Sequence, residues 1–463
     1  MDASVATLSS LYLAVLSTLG LFHAYRLAAQ SGTIFSARPL LMLNFVIVYP
    51  ISGIIHLLEL GPNRGYFDLL HTSPEHIYNA CLAATIAFSG LAWGMGREPV
   101  SAQKAAVFDR HWDKYDTSGM LVVVLLVGPL SLYGLTIVQA VVEDAQTTRN
   151  ITLATGNARF VFLSQWFPWV ITMAAAFFIA KTRNVRPVYV LAVLAAASIV
   201  IIWSVRWSGG RSIIIVFVMP ILIYAWPYLK GLRVASLLIG SALLFSYILL
   251  LSQERQDSYV AGQETNILSW LDWEWGRFSM VGLAMTFTDH IRMLFGESIL
   301  NGISNTLNPL TSLIGIQFNT DGYLSSLNVA SVVLIGSYDF KHIVPGLTAE
   351  MYMNFGLAGV GAAYFLLGWF ARFIDRKLSD RCYGLTRLFL YYILALVAFR
   401  VMVGESHILL FYILFPGLPL TLVAWITSVV AARSRRAAAK KATASVDDTG
   451  SVPVGDALGR AGA

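Results

Sequence analysis

The fold class this sequence predicts is an all-α, polytopic membrane protein, and three observations predict it. Hydrophobic residues fill 57% of 463 positions and charged residues only 13%, a balance that soluble domains of this size do not show. The apolar residues gather into eleven stretches, each close to the roughly 20 residues that a bilayer-crossing helix needs. Lys and Arg then collect on alternate connections between those stretches, as the positive-inside rule requires. Ten to twelve transmembrane helices are therefore expected, eleven being the best count.

The first stretch, 6–24, follows Met1 and Asp2 without a basic n-region or a small-residue cleavage site, so it is expected as a retained helix. The second and third, 40–59 and 77–95, flank a short connection holding Arg64, Asp68 and Glu75. A polar segment, 143–159, carrying Arg149 and Arg159, separates the fourth (119–142) from the fifth (160–180). The sixth and seventh, 187–205 and 212–229, close tightly around Arg206-Trp207-Ser208-Gly209-Gly210-Arg211. The eighth, 234–252, leads into the longest connection, 253–345. The last three, 346–370, 386–402 and 407–430, end in a basic tail. Residues 1–430 thus form one transmembrane domain. The tail, 431–463, with Arg433, Arg435, Arg436, Lys440 and Lys441, is expected as a disordered, membrane-hugging end.

The alternate connections beginning with 23–39 hold 22 basic residues and the opposite set 10. The first set is expected in the cytoplasm, with the N-terminus outside and the C-terminus inside. The net charge of +6 is then a topology signal, and no nucleic-acid partner is implied. Nine of the ten outer basic residues are arginine, which fits either a high-GC codon bias or an outer face that handles phosphate or carboxylate. The long outer loop is expected to fold back over the helix ends. Within it, 267–275 carries three tryptophans among acids, suited to a helix lying in the membrane interface. Residues 291–316 alternate apolar with Asn, Ser and Gly, and Asn308-Pro309 marks a turn. Cys81 and Cys382 fall in a span and a cytoplasmic loop and are not expected to pair, and no Cys/His cluster has metal-ligand spacing.

The tight turn at 206–211 is the most demanding local feature. An arginine near the bilayer core costs roughly 2.5–3.5 kcal/mol on insertion scales, so such residues line a wet cavity or snorkel to an interface. Here two guanidinium forks flank two glycines whose amides a ligand can approach closely. That chemistry matches a phosphorylated, lipid-linked substrate.

Four stretches together resemble the bacterial O-antigen and oligosaccharide repeat-unit polymerases (Wzy-type). They are Ser208-Gly209-Gly210-Arg211 opening an apolar helix, the outer loop with Arg149, the segment 345–359 with Glu350, Asn354, Phe355 and Gly356, and Arg400 opening a short outer loop. The resemblance covers roughly 120–430, and it rests on the order and topological placement of loose motifs. It implies a GT-C-like helical architecture in the bacterial cytoplasmic (inner) membrane. The implied reaction moves a growing glycan from polyprenyl diphosphate onto another lipid-linked oligosaccharide repeat unit, with a chain-length-regulating membrane protein as a further partner.

On that reading Arg211 cradles the departing diphosphate, with Arg206, Arg149, Arg400, Gly209 and Gly210 contributing. Arg206 and Arg211 would otherwise anchor helix ends, and Arg149 would otherwise be a solvated loop charge. Glu350 is the leading base for the attacking hydroxyl, or else a structural partner of a cradle arginine. His342 is the second base candidate, since ligases of this architecture use a histidine in this general region, and Glu405 with His407 beside Arg400 form a third group. No metal and no cofactor is implied, the arginines standing in for a cation. A lipid-linked glycan ligase, a glycolipid flippase or transporter, and a cell-shape peptidoglycan glycosyltransferase remain open. A transporter would carry internal repeats and charges buried within spans.

Overall fold

The computed structural model describes residues 3–60, 73–97, 114–141, 160, 163–181, 186–206, 211–235, 240, 268, 271–311, 314–318, 323–336, 344–379 and 384–449. Among them every regular element is helical. In chain order these are α1 (Ala3–Ser31), α2 (Ala37–Leu57), α3 (Pro74–Met95), α4 (Tyr115–Ala140), α5 (Phe167–Lys181), α6 (Pro187–Arg206) and α7 (Arg211–Ala225). They continue with α8 (Phe278–His290), α9 (Glu297–Thr311), α10 (Ser326–Ile335), α11 (Gly346–Ser379), α12 (Gly384–Phe399), α13 (Ile408–Leu414) and α14 (Leu418–Thr449). Among the described residues six helices, α1, α2, α3, α4, α6 and α11, are long and apolar enough to cross a membrane. The pair α13 and α14, bent by 71° at its break, makes a seventh if it is one span. Helices α5, α7 and α12 are apolar but shorter. The predicted stretch 234–252 lies almost wholly outside the described residues.

Helices α3 and α11 form the central seam, and small residues bring their backbones into contact. A Cβ on Gly94 would stand 2.1 Å from the Phe365 carbonyl oxygen, one on Gly90 2.6 Å from that of Gly361, and one on Gly368 2.4 Å from that of Leu91. Such stripes let membrane helices gain dispersion contact where no hydrophobic force drives them together. Helices α1, α2 and α8 pack around this seam, and α5, α7 and α12 form a neighbouring group joined to it through α2 and α12.

Among the interruptions of the described helices, which include a π-segment at Val123–Val127 in α4, two have a plain local cause. Pro50 lacks an amide hydrogen, and α2 widens into a π-turn over Ile47–Ile51 around it. Gly356 adopts φ 63° and ψ −155° inside α11, a conformation open to glycine, so α11 is two helices meeting at a break.

A buried ion pair fixes one end of the bundle. The Arg38 Nε lies 3.0 Å from Asp375 Oδ2, with Arg38 wholly buried. The same carboxylate accepts from the Ala37 amide at 2.6 Å and the Ser36 hydroxyl at 2.7 Å. Asp375 of α11 therefore caps the N-terminus of α2 from across the structure, placing a negative charge where the helix dipole favours one.

In the second group Trp169 is fully buried against Tyr392, at 4.4 Å between ring centroids, and against Phe217 at 4.9 Å. The Tyr392 hydroxyl donates to the Tyr412 carbonyl at 2.6 Å and the Trp166 indole to the Phe415 carbonyl at 2.9 Å. These carbonyls also accept from the Gly417 and Leu418 amides, so the break between α13 and α14 keeps its backbone acceptors bonded, a condition for non-helical backbone at membrane depth.

Two segments differ from expectation. Helix α14 continues to Thr449, through the first part of the tail expected as disordered, because Arg, Lys and repeated Ala are strong helix formers. Of the tryptophan-rich segment, Leu271–Trp275 is a π-turn docked on α2. There the Trp275 indole donates to Asn44 Oδ1 at 2.9 Å, and Asp272 is buried.

Candidate functional site

The segment Arg400–His407 leaves the end of α12 as a run of turns and carries three of the polar residues singled out in the sequence. Its carbonyls are satisfied from two sides. The Met402 carbonyl accepts from the Leu347 amide at 3.1 Å and the Tyr49 hydroxyl at 3.3 Å. Arg277 Nε donates to the Val403 carbonyl at 3.1 Å and its Nη1 to the Gly276 carbonyl. A cation thus sits beyond the C-terminus of α12, where the helix dipole is negative. Tyr49 also accepts from the Thr348 amide at 3.3 Å, and Thr348 Oγ1 lies 2.8 Å from the Tyr364 hydroxyl. This network sets the start of α11 directly against the turns.

Glu350, one helical turn before Asn354 on α11, is wholly buried at this junction. Its Oε2 accepts from the Ser406 amide at 2.6 Å, and its Oε1 accepts from the hydroxyls of Ser406 and Ser298, each at 3.2 Å. Asn354 Nδ2 donates to Ser298 Oγ and to the Glu350 carbonyl, both at 2.7 Å, and Asn354 Oδ1 accepts from the Gly296 amide at 2.8 Å. The i, i+4 spacing puts both side chains on one helix face, where they tie α11 to α9 and to the turns.

Glu405 and His407 lie on the other side of Ser406. Glu405 is buried and accepts from the buried Ser326 hydroxyl of α10. Its Oε2 is 3.7 Å from His407 Nε2, and its charge also acts on Glu350. The His407 side chain keeps 18% of its surface exposed, so of the three acid-base groups here it is the most open. Its ring rests on Gly302 of α9, where a Cβ would fall 2.2 Å from Nδ1. Burial holds the His407 imidazole below the ordinary histidine range, while the Glu405 carboxylate pulls the other way. The resulting neutral ring has a carboxylate at one nitrogen. The other, Nδ1, is buried without a hydrogen-bond partner among the described residues. A neutral imidazole beside a carboxylate is a competent proton acceptor. Arg400, which opens the segment, lies 5.5 Å over the Tyr412 ring.

Of the residues expected in the site, Glu350 and the Arg400–His407 segment are brought together, Glu350 meeting serines in place of an arginine. Arg206 ends α6 and Arg211 begins α7, on either side of residues 207–210, which lie outside the described residues. Arg149, Gly209, Gly210 and His342 lie outside the described residues. Among the described residues, no three His, Cys, Asp or Glu side chains converge as a metal ion requires. Ser298, Ser326 and Ser406 escaped sequence reading because a lone serine carries no pattern. Asn354 stood inside a recognised motif without a role, and its i, i+4 relation to Glu350 was the available signal. Comparison with protein-family models, curated proteins and solved structures finds no match for this chain.

Proposed function

We propose that this chain is a polysaccharide polymerase, a GT-C-like membrane glycosyltransferase with eleven spans in the bacterial cytoplasmic membrane, its N-terminus outside and its C-terminus in the cytoplasm. It transfers a growing glycan from polyprenyl diphosphate to the sugar of a lipid-linked repeat unit. One observation carries the reading. Two segments far apart in sequence, 345–359 and 400–407, meet in a single polar cluster with a histidine at its more open side.

In this reading the His407 ring, the most open of the three acid-base groups, takes the proton of the acceptor hydroxyl, and the neighbouring Glu405 charge favours the imidazolium that forms. The hydroxyl oxygen bonds to the anomeric carbon as the bond from that carbon to the diphosphate oxygen breaks. The departing diphosphate is held by Arg211, with Arg149, Arg206, Arg400 and the amides of Gly209 and Gly210. Glu350 holds the floor of the site, because its carboxylate is buried and already bonded by three donors.

A second reading, a glycolipid transporter, is favoured by charges buried within spans, Arg38 and Asp375 among them, and by the breaks at Gly356 and between α13 and α14. The test is reconstitution of the purified protein with lipid diphosphate-linked repeat units, with no nucleotide and with a chelator present. A ladder of lengthening glycan, lost in Arg211→Ala with the fold intact, supports the polymerase. A single transfer to a lipid-A acceptor supports a ligase, and movement of intact lipid across vesicles without transfer supports a transporter.

A further inference from the structure

Helix α9 is built the wrong way round for water. Its sequence gathers Ser298, Asn301 and Asn305 on one side and Leu300, Ile303 and Leu307, at i, i+3 and i+7, on the other. A helix on the surface of a water-soluble protein turns its apolar side inward. In α9 the buried residues are polar. Ser298 is 2% and Asn301 8% exposed, whereas Leu300 is 53% exposed. The polar side is already engaged by the protein. Ser298 donates to Glu350 and accepts from Asn354, Asn301 Nδ2 donates to the Tyr323 carbonyl at 2.8 Å, and Gly302 supports the His407 ring.

Two bonds fix where this helix begins. The Gly296 amide donates to Asn354 Oδ1 at 2.8 Å, and the Leu294 amide to the Met353 carbonyl at 2.9 Å. Both acceptors stand just before the break of α11 at Gly356. Beyond the break, 357–371 carries no charged residue, and Arg372, Arg376 and Lys377 follow it. An apolar run that ends in basic residues ends at a membrane surface, so its other end, at Gly356, belongs to the opposite surface. Phe355 beside the break is 44% exposed, and a Cβ on Gly296 would stand 3.4 Å from its ring. Phe295, the next residue back, is 75% exposed and holds φ 46°, an uncommon backbone for a bulky side chain. Arg292 and Glu297 pair with each other at 2.6 and 2.8 Å. From Glu297 to Asp321 the sequence then has no further charge.

We propose that α9 lies in the bilayer leaflet on the Gly356 side, with Phe295 and the ridge of Leu300, Ile303 and Leu307 among the lipids, while its polar side roofs the Glu350 cluster. An exposed apolar ridge continuous with the lipid-facing flank of a span finds its partner in the same lipid. Because Gly302 of this helix supports His407, the more open side of the cluster is held at headgroup depth and not in bulk solvent. The lipid contact stands apart from the glycosyl-transfer reading, since a transporter would have it equally.

The experiment uses the full chain in phosphatidylcholine nanodiscs, with Cys81→Ala and Cys382→Ser as background. A nitroxide is attached to one introduced cysteine at a time, Phe295→Cys, Leu300→Cys or Asn305→Cys. Oxygen, which partitions into lipid, and a water-soluble nickel chelate then compete to relax the label. Oxygen is expected to dominate at 295 and 300 and nickel at 305, a reversal within one helix. Nickel dominating at 295 and 300 would place the ridge in water and overturn the proposal. Weak relaxation by both agents at 295 and 300 would mean that protein, a second copy included, covers the ridge, and overturns it as well. All three side chains are exposed, so the labelled variants are expected to keep the fold, checked by thermal melting. If Leu300→Cys fails to fold, the comparison of 295 with 305 still decides.

Discussion

The Ser406 amide donates to Glu350 Oε2 at 2.6 Å, and with the Leu347 amide on the Met402 carbonyl it joins the start of α11 to the turns that follow α12. A carboxylate so placed has its lone pairs occupied before any substrate arrives. Glu350→Gln keeps an amide oxygen for Ser406 and is expected to retain fold and transfer activity. Glu350→Ala leaves the Ser406 amide and the Ser298 hydroxyl unpaired, at about 1–3 kcal/mol for a stranded buried donor. Thermal melting in detergent and the glycan ladder read the two variants together, and loss of activity in a well-folded Gln variant returns Glu350 to the chemistry.

His407 gives the site its acid sensitivity. Its folded pKa is held below the unfolded value by burial, so the unfolded chain takes up the proton first. The stability this contributes is present above the unfolded histidine pKa, about 6.5, and is lost as pH falls below that value and through the folded pKa. Melting temperature measured from neutral to acid pH should fall in the wild type, and the curve should be flatter for His407→Gln. Identical curves would mean that the folded ring titrates as it does in the unfolded chain.

The α3–α11 seam should tolerate no added side chain. Gly94→Ala places a methyl group 2.1 Å from the Phe365 carbonyl oxygen, and the helices must part, an overpacking cost of about 1–3 kcal/mol. Gly231→Ala meets nothing within 4 Å and serves as the neutral control. Equal denaturation midpoints for the two variants would show that the seam relaxes freely.

Asp375 is expected to be the most sensitive acid outside the site. Asp375→Asn removes the counter-charge of a wholly buried Arg38, and breaking such a pair from one side costs about 3–5 kcal/mol. Adding Arg38→Met should recover part of the loss, since a buried cation no longer faces a neutral amide. A double variant as unstable as the sum of the singles would show that the carboxylate acts only as the cap of α2.

The helical membrane class was legible because composition and stretch length report directly on the solvent a chain requires. Helix limits were less so. Polar ends such as Pro74-Glu75-His76 are helical yet raise no hydropathy, and α12 stops at Phe399 within a stretch that reads as apolar to 402. The break before α14 had its signal in Phe415-Pro416-Gly417, where a proline and a glycine fall together. Buried helix α8 was hidden inside 253–345 because its 13 residues are too few to read as a span. In the site, Glu350, Arg400, Glu405 and His407 drew notice by charge, but the cluster is closed by the approach of α11 to the turns after α12 and by Ser298 and Ser326 from α9 and α10. No spacing along one chain encodes such a contact.

Where α3 and α11 touch through backbone alone, no side chain stands between them to change rotamer. That seam is a fixed post with no intermediate positions to occupy. In the polymerase reading, an opening for a lipid-linked molecule is then expected away from this seam. The elbow between α13 and α14, bent by 71°, is tied to α12 by the Tyr392 hydroxyl on the Tyr412 carbonyl, and it is the joint at which such an opening would hinge.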